Sequence, residues 1–194
     1  MKRCSLILLI LFVSLSLAQA QYKAGSGLFI FNVGWTMASP EDIEADLNGN
    51  TFSMSYEETD LFSSFSGGFV LAYSNTSADS LSAGGGKIDR LNKVSYEVIP
   101  VAFFGKLYFG SETFRGYAGA GLGVQFSNIN YFTQNGQVTA WESGILISGM
   151  AGANFYLSED ILLNANYSIN YLGNGYYQDG LAHNINIGIG FQLD

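Results

Sequence analysis

The stretch NINIGIGFQL, residues 184–193, alternates with a period of two. Ile185, Ile187, Ile189, Phe191 and Leu193 share one parity; Asn184, Asn186, Gly188, Gly190 and Gln192 share the other. That pattern is a β-strand with one apolar face. Its second face carries amides and glycines where a water-washed strand would show Lys and Glu.

The same period recurs along the chain, in segments 28–37, 51–57, 64–74, 94–109, 115–128, 142–157 and 160–172, before the final one. Most are long enough for a tilted membrane strand, which needs about 9–11 residues. Connections alternate in length. Glu58–Ser63, Gly110–Phe114 and Ser158–Glu159 are short; Ala38–Asn50, Asn75–Lys93, Ile129–Trp141 and Gly173–His183 are longer. An even number of strands with short turns on one rim and longer loops on the other predicts an all-β fold. It is an eight-stranded antiparallel up-and-down transmembrane β-barrel, closed by pairing the first strand with the last. The fourth segment changes parity: Val94, Tyr96 and Val98 precede Val101, Phe103, Leu107 and Phe109. Pro100 lies at the change, which predicts a bulge near Ile99-Pro100. Ser39–Leu47 predicts one short helix, with Ser39 as N-cap and Pro40 at the first position.

The first twenty residues read as a cleaved secretory signal. Lys2 and Arg3 precede an apolar run from Leu6 to Leu17, and Ala18-Gln19-Ala20 is a cleavage site ending at Ala20. The domain division is therefore 1–20 signal peptide and 21–194 barrel. Cleavage removes Cys4, the sole cysteine, so no disulfide framework is expected. It leaves 6 basic against 16 acidic residues. An acidic chain without basic clusters argues against nucleic-acid binding. Only 12% of residues are charged while 48% are hydrophobic. Apolar surface spread over alternating strands accounts for that balance in an exported chain with no apolar 20-mer after the leader.

The small polar parity suits a narrow interior, and the Phe-, Ile- and Leu-rich parity suits lipid. A lipocalin-like soluble barrel would reverse this assignment and is the alternative fold. Trp35, Tyr73, Trp141 and Tyr171 lie near strand ends that border the longer loops, where an aromatic girdle belongs. Glu57, Lys106 and Arg115 fall on the polar parity near the short turns, as lumen charges that would pair with one another. They read as a structural plug, with a gated path for small solutes as the sharper alternative.

Ile99–Phe109 (IPVAFFGKLYF), Tyr117–Gly123 (YAGAGLG) and the last strand resemble the outer membrane protein beta-barrel domain family, of the small eight-stranded OmpX/OmpA-barrel type. The resemblance covers residues 21–194. It implies a C-terminal assembly signal, matched here by Asn186, Gly188, Phe191 and Leu193, although Asp194 follows where many members end on an aromatic. It implies a place in the outer membrane of a Gram-negative cell. Outer-membrane lipid and the barrel-assembly machinery are the implied partners, with an extracellular partner reached through the loops and a monomeric state.

Enzymatic chemistry finds little support. His183 is the single histidine. Lipid-modifying barrel hydrolases carry a lipid-facing His with Ser two residues later, and here position 185 is Ile. The glycines of Tyr117–Gly123 alternate within a strand with no helix after them, unlike a nucleotide loop. Glu41, Asp42, Glu44 and Asp46 lack EF-hand spacing and read as a solvated loop. Tyr176 and Tyr177 read as girdle or partner contacts. No catalytic residue, cofactor or metal site is therefore assigned. The expectation is a non-enzymatic integral outer-membrane protein with a structural or surface-interaction role; a narrow solute channel and a lipid-modifying enzyme are the alternatives.

Overall fold

A computed structural model of the chain describes residues 25–39, 46–62, 64–79, 91–133, 136–174 and 180–193. The leader with Ala20, the body of the helix expected over Ser39–Leu47, and Tyr176 and Tyr177 lie outside the described residues.

Eight strands form the barrel: β1 (Gly27–Ser39), β2 (Leu47–Phe62), β3 (Phe65–Asp79), β4 (Leu91–Gly110), β5 (Phe114–Thr133), β6 (Gly136–Tyr156), β7 (Ile161–Asn174) and β8 (Gly180–Leu193). Each pairs antiparallel with its sequence neighbour, and β1 pairs with β8 from Gly27↔Leu193 to Ser39↔Leu181, closing the ring. Closure leaves the ring without a first or last strand edge, which a sheet in lipid requires.

The registers fix the barrel's geometry. From Phe29 the pairing leads to Tyr56, Phe69, Phe103, Leu122, Ile147, Tyr171 and Leu181, and returns to β1 at Ser39, ten residues from its start. With a strand spacing of about 4.8 Å and a rise of about 3.3 Å per residue, that stagger tilts the strands by about 40°. Every residue between Phe29 and Ser39 on this path is apolar and on the outer face.

Two local expectations are corrected. No bulge occurs at Ile99-Pro100. The β3–β4 register is the same on both sides of Pro100 (Leu71↔Val101, Ser74↔Val98), and β4–β5 pairing runs through it unbroken (Pro100↔Gln125). Proline lacks the N–H that would bond to β3, so rungs are missing there without an inserted residue. The β4 parity is constant, and the apolar residues Val94, Tyr96 and Val98 simply face the lumen. Register shifts lie instead at the start of β4, between Leu91 and Lys93, and on β2, between Glu58 and Phe62, where Asp60 takes a positive φ of 55°. The second correction concerns the connection expected over Ile129–Trp141. β5 and β6 continue pairing to Thr133↔Gly136, so only residues 134–135 join them.

The outer face carries the apolar residues. Phe103 is 76% exposed and Ile187 65%. Among the described outward positions of β1, of β3 from Phe65 to Ser77, of β5–β8, and of β4 from Ile99 to Phe109, there is no Asp, Glu, Lys or Arg. A soluble domain rarely shows an apolar patch beyond a few hundred Å²; here the belt encircles the molecule.

Candidate functional site

The lumen is layered. At the short-turn end β2, β4, β5, β6 and β7 bring together a buried polar network. Lys106 Nζ lies 2.6 Å from Glu57 Oε2, with both side chains almost fully buried. The Tyr108 hydroxyl donates to Glu57 Oε1, and Asn154 Nδ2 donates to the Tyr108 hydroxyl at 3.3 Å. Asn164 Nδ2 donates to Asn154 Oδ1 at 2.7 Å and to the Tyr117 hydroxyl at 3.0 Å. The Lys106 ammonium also lies 4.5 Å from the Phe104 ring centre and 4.6 Å from that of Tyr117. A buried charge is tolerated only when paired and hydrogen-bonded, and these contacts meet that condition.

Arg115 does not join the Glu57–Lys106 pair. Its guanidinium bonds Asp60 Oδ1 at 3.3 Å and stacks on Tyr108 at 4.7 Å. Sequence reasoning missed Asp60, because strict alternation from the inward Glu57 puts residue 60 on the outside. The β2 irregularity re-aims it, as bulges do. Tyr108 and Tyr117 were legible: they share the parity of Lys106 and Arg115 and pair directly across β4–β5.

The middle layer mixes polar and apolar side chains. A cavity of about 90 Å³ is lined by Thr51, Ser148, Asn166 and Asn184 together with Phe104 and Leu146, and Lys106 reaches it from below. Thr36 bonds Asn184 Oδ1 at 2.6 Å, and the Ser74 hydroxyl donates to Thr51 at 3.0 Å. Above it the loop-side layer is apolar: Leu47, Val94, Tyr96, Val98, Ile129, Tyr131, Leu146 and Leu172 form one buried cluster.

On the loop side β5 and β6 stay paired to Thr133↔Gly136. Gly136, Gln137, Val138 and Thr139 are all exposed, on both faces of the strand. Gln137, Thr139 and Asn130 bond one another across the hairpin, with Gln137 Nε2 and Thr139 Oγ1 each 2.7 Å from Asn130 Oδ1.

No protein-family model matches the chain, and no curated protein does. Solved structures do. Ail, the attachment invasion locus protein of Yersinia pestis, aligns at TM-score 0.60 and 13% identity over 88% of this chain and 100% of that one. Neisserial surface protein A (NspA) aligns at TM-score 0.60 and 13% identity, over 87% and 97% respectively. The outer membrane protein OprG from Pseudomonas aeruginosa gives TM-score 0.53 and 15% identity, over 90% and 99%.

The chain has the small outer-membrane barrel fold.

At these identities the likeness is one of architecture. Within that fold, Trp35, Tyr73 and Trp141 face outward at 47%, 38% and 72% exposure, and Tyr171 is half-buried on the same face. All four lie toward the loop-side ends of their strands. The Tyr73 hydroxyl donates to Glu97 Oε1 at 3.2 Å, and Asn128 Nδ2 donates to Glu97 Oε2 at 3.1 Å. Asn50, Asn75, Glu97 and Asn128 form one register line, above which these strands cease to be apolar outside. Of the last-strand residues, Asn186 and Gly188 face the lumen while Phe191 and Leu193 face outward.

His183 also faces outward, its Nδ1 2.8 Å from the Tyr167 hydroxyl and the two rings stacked. Ile185 and Ile169 flank it, and no serine stands in reach among its register neighbours, Met37 and Ile169. Among the described residues no group of His, Cys, Asp and Glu could hold a metal ion.

Proposed function

We propose that this chain is a non-enzymatic integral protein of a Gram-negative outer membrane, with its longer connections outside and a role in surface interaction. The uncharged apolar belt supports insertion, since Lys or Arg at the bilayer midplane costs about 2–4 kcal/mol. Export by the leader and insertion through the last-strand signal Asn186, Gly188, Phe191 and Leu193 belong to the same reading.

The observation that carries the interaction role is the β5–β6 hairpin, which stays paired to Thr133↔Gly136 and shows Gln137, Val138 and Thr139 exposed on both faces. Side chains held out on a paired hairpin beyond the apolar belt are within reach of a partner.

Val138, 59% exposed, is the apolar side chain the hairpin presents. Val138→Asp, expressed on cells, is expected to lower adherence to an epithelial monolayer. Adherence equal to that of the parent, with a heat-modifiable gel shift intact, would reject the interaction role and leave a structural one. Labelling of Thr139→Cys on intact cells by an impermeant maleimide tests the orientation. The narrow-channel alternative has the filled lumen against it, and planar-bilayer recordings are expected to stay at background.

A further inference from the structure

We propose that Tyr167 and His183 form a lipid-binding site, which holds the ester carbonyl of an acyl chain against the outward face of β7 and β8. The proposal rests on the chain being a membrane-inserted barrel. The two side chains are polar in an apolar stretch of wall. His183 stands in register with Met37 and Ile169, and Tyr167 with Ala151 and Ile185, all of them facing outward.

The register also sets the depth. Tyr171 and Leu181 pair at the girdle, two residues loop-ward of Ile169 and His183. At about 3.3 Å per residue on strands tilted about 40°, His183 lies about 5 Å below that level. Aromatic girdles mark the headgroup region, so the pair sits just inside the hydrocarbon edge.

Hydrogen-bond counting then asks for a partner from outside the protein. A neutral imidazole has one N–H and a phenol one O–H. The Tyr167 hydroxyl and His183 Nδ1, 2.8 Å apart, share a single hydrogen bond. Whichever tautomer the ring takes, one donor hydrogen is left: Nε2–H if the hydroxyl donates, or the phenolic O–H if Nδ1–H does. Protonating the ring only adds another. Neither side chain has a second hydrogen-bond partner among the described residues. A donor left unmet in lipid is costly.

An acyl ester carbonyl answers that need. It lies at this depth, accepts a hydrogen bond without bringing a donor, and is tethered to a chain that runs along the wall. The stacked rings, 6.2 Å between centres and 28° apart in plane, form a ledge, and Met37, Ile169 and Ile185 give the chain an apolar bed. A lipid phosphate calls for a cation, and the described outward positions of β1, β7 and β8 hold no Lys or Arg.

The test compares vesicles of a diester phosphatidylcholine with vesicles of its diether analogue, which keeps the headgroup and chains but lacks the carbonyls. The parent is set against a variant carrying both Tyr167→Phe and His183→Phe, which has no donor to place. On moving from ester to ether lipid, the unfolding constant of the parent in urea should rise about two- to tenfold more than that of the variant, the worth of one hydrogen bond. Equal changes in the two proteins would overturn the site and point to water as the acceptor. A heat-modifiable gel shift and flotation with the vesicles check folding and insertion; a parent that does not insert would instead defeat the membrane reading itself. The parent alone gives a second readout. His183 is the single histidine, so isotope-labelled histidine marks one ring. Solid-state NMR magnetisation transfer from carbonyl-labelled lipid to that ring is expected, and its absence would also overturn the site.

Discussion

Asn32 on β1 stands directly opposite Gly188 on β8, and its carboxamide oxygen occupies the space that a Gly188 side chain would need. Two residues along, the relation is reversed: Asn186 of β8 stands opposite Gly34 of β1 and fills the corresponding space there. The seam that closes the barrel is therefore built from reciprocal Asn–Gly pairs.

That seam leaves no room for a methyl group. A Cβ at Gly188 would also meet the Phe31 carbonyl, and one at Gly34 the Ile185 carbonyl. Gly188→Ala and Gly34→Ala are each expected to destabilise the barrel by about 1–3 kcal/mol, the usual cost of overpacking. Gly149 faces outward with nothing within 4 Å of its Cβ position. Gly149→Ala should leave the urea midpoint of the barrel in lipid vesicles within error, while the seam variants lower it.

Lys106 and Glu57 give an asymmetric prediction. Lys106→Met alone strands a buried carboxylate, and about 3–5 kcal/mol of stability should be lost. Replacing both, with Glu57→Leu added, removes the stranded charge and should recover most of that loss. Equilibrium unfolding of both variants checks it; a double variant no more stable than Lys106→Met would show that packing, and not charge, sets the cost.

Asp60 combines a backbone and a charge effect that separate by substitution. At φ 55°, Asp and Asn are tolerated while a β-branched residue is strained. Asp60→Asn should cost about 1 kcal/mol through the Arg115 contact alone. Asp60→Val adds strain and should cost about 1–3 kcal/mol more. Paired urea titrations distinguish the two.

The outward belt predicts a dependence on depth. Phe103 lies midway along the outward apolar run of β4, Ile99–Phe109. Phe103→Lys should cost about 2–4 kcal/mol in vesicles, whereas Asn128→Lys, beyond the belt edge, should cost about 0–1 kcal/mol. Equal small effects at both sites would point to water, and not lipid, around the barrel.

Parity was legible because it is local. A strand sends alternate side chains to opposite faces, so NINIGIGFQL already separates Ile185, Ile187 and Ile189 from Asn184, Asn186 and Gly188. The strand count and the inward parity of Glu57, Lys106 and Arg115 follow from the same rule. What alternation could not say is what an apolar residue on the lumen side meant. Val94, Tyr96 and Val98 looked like a parity slip at Pro100, because their partners Leu47, Ile129, Leu146 and Leu172 come from four other strands. Only the closed ring gathers these side chains into a plug. The tertiary structure alone likewise decided the ten-residue stagger, which is a property of all eight pairings, and the Asp60–Arg115 pair, which depends on a local break in the very period the sequence displays. The amino-acid order determined which face each residue takes; closure of the barrel decided which residues meet across it.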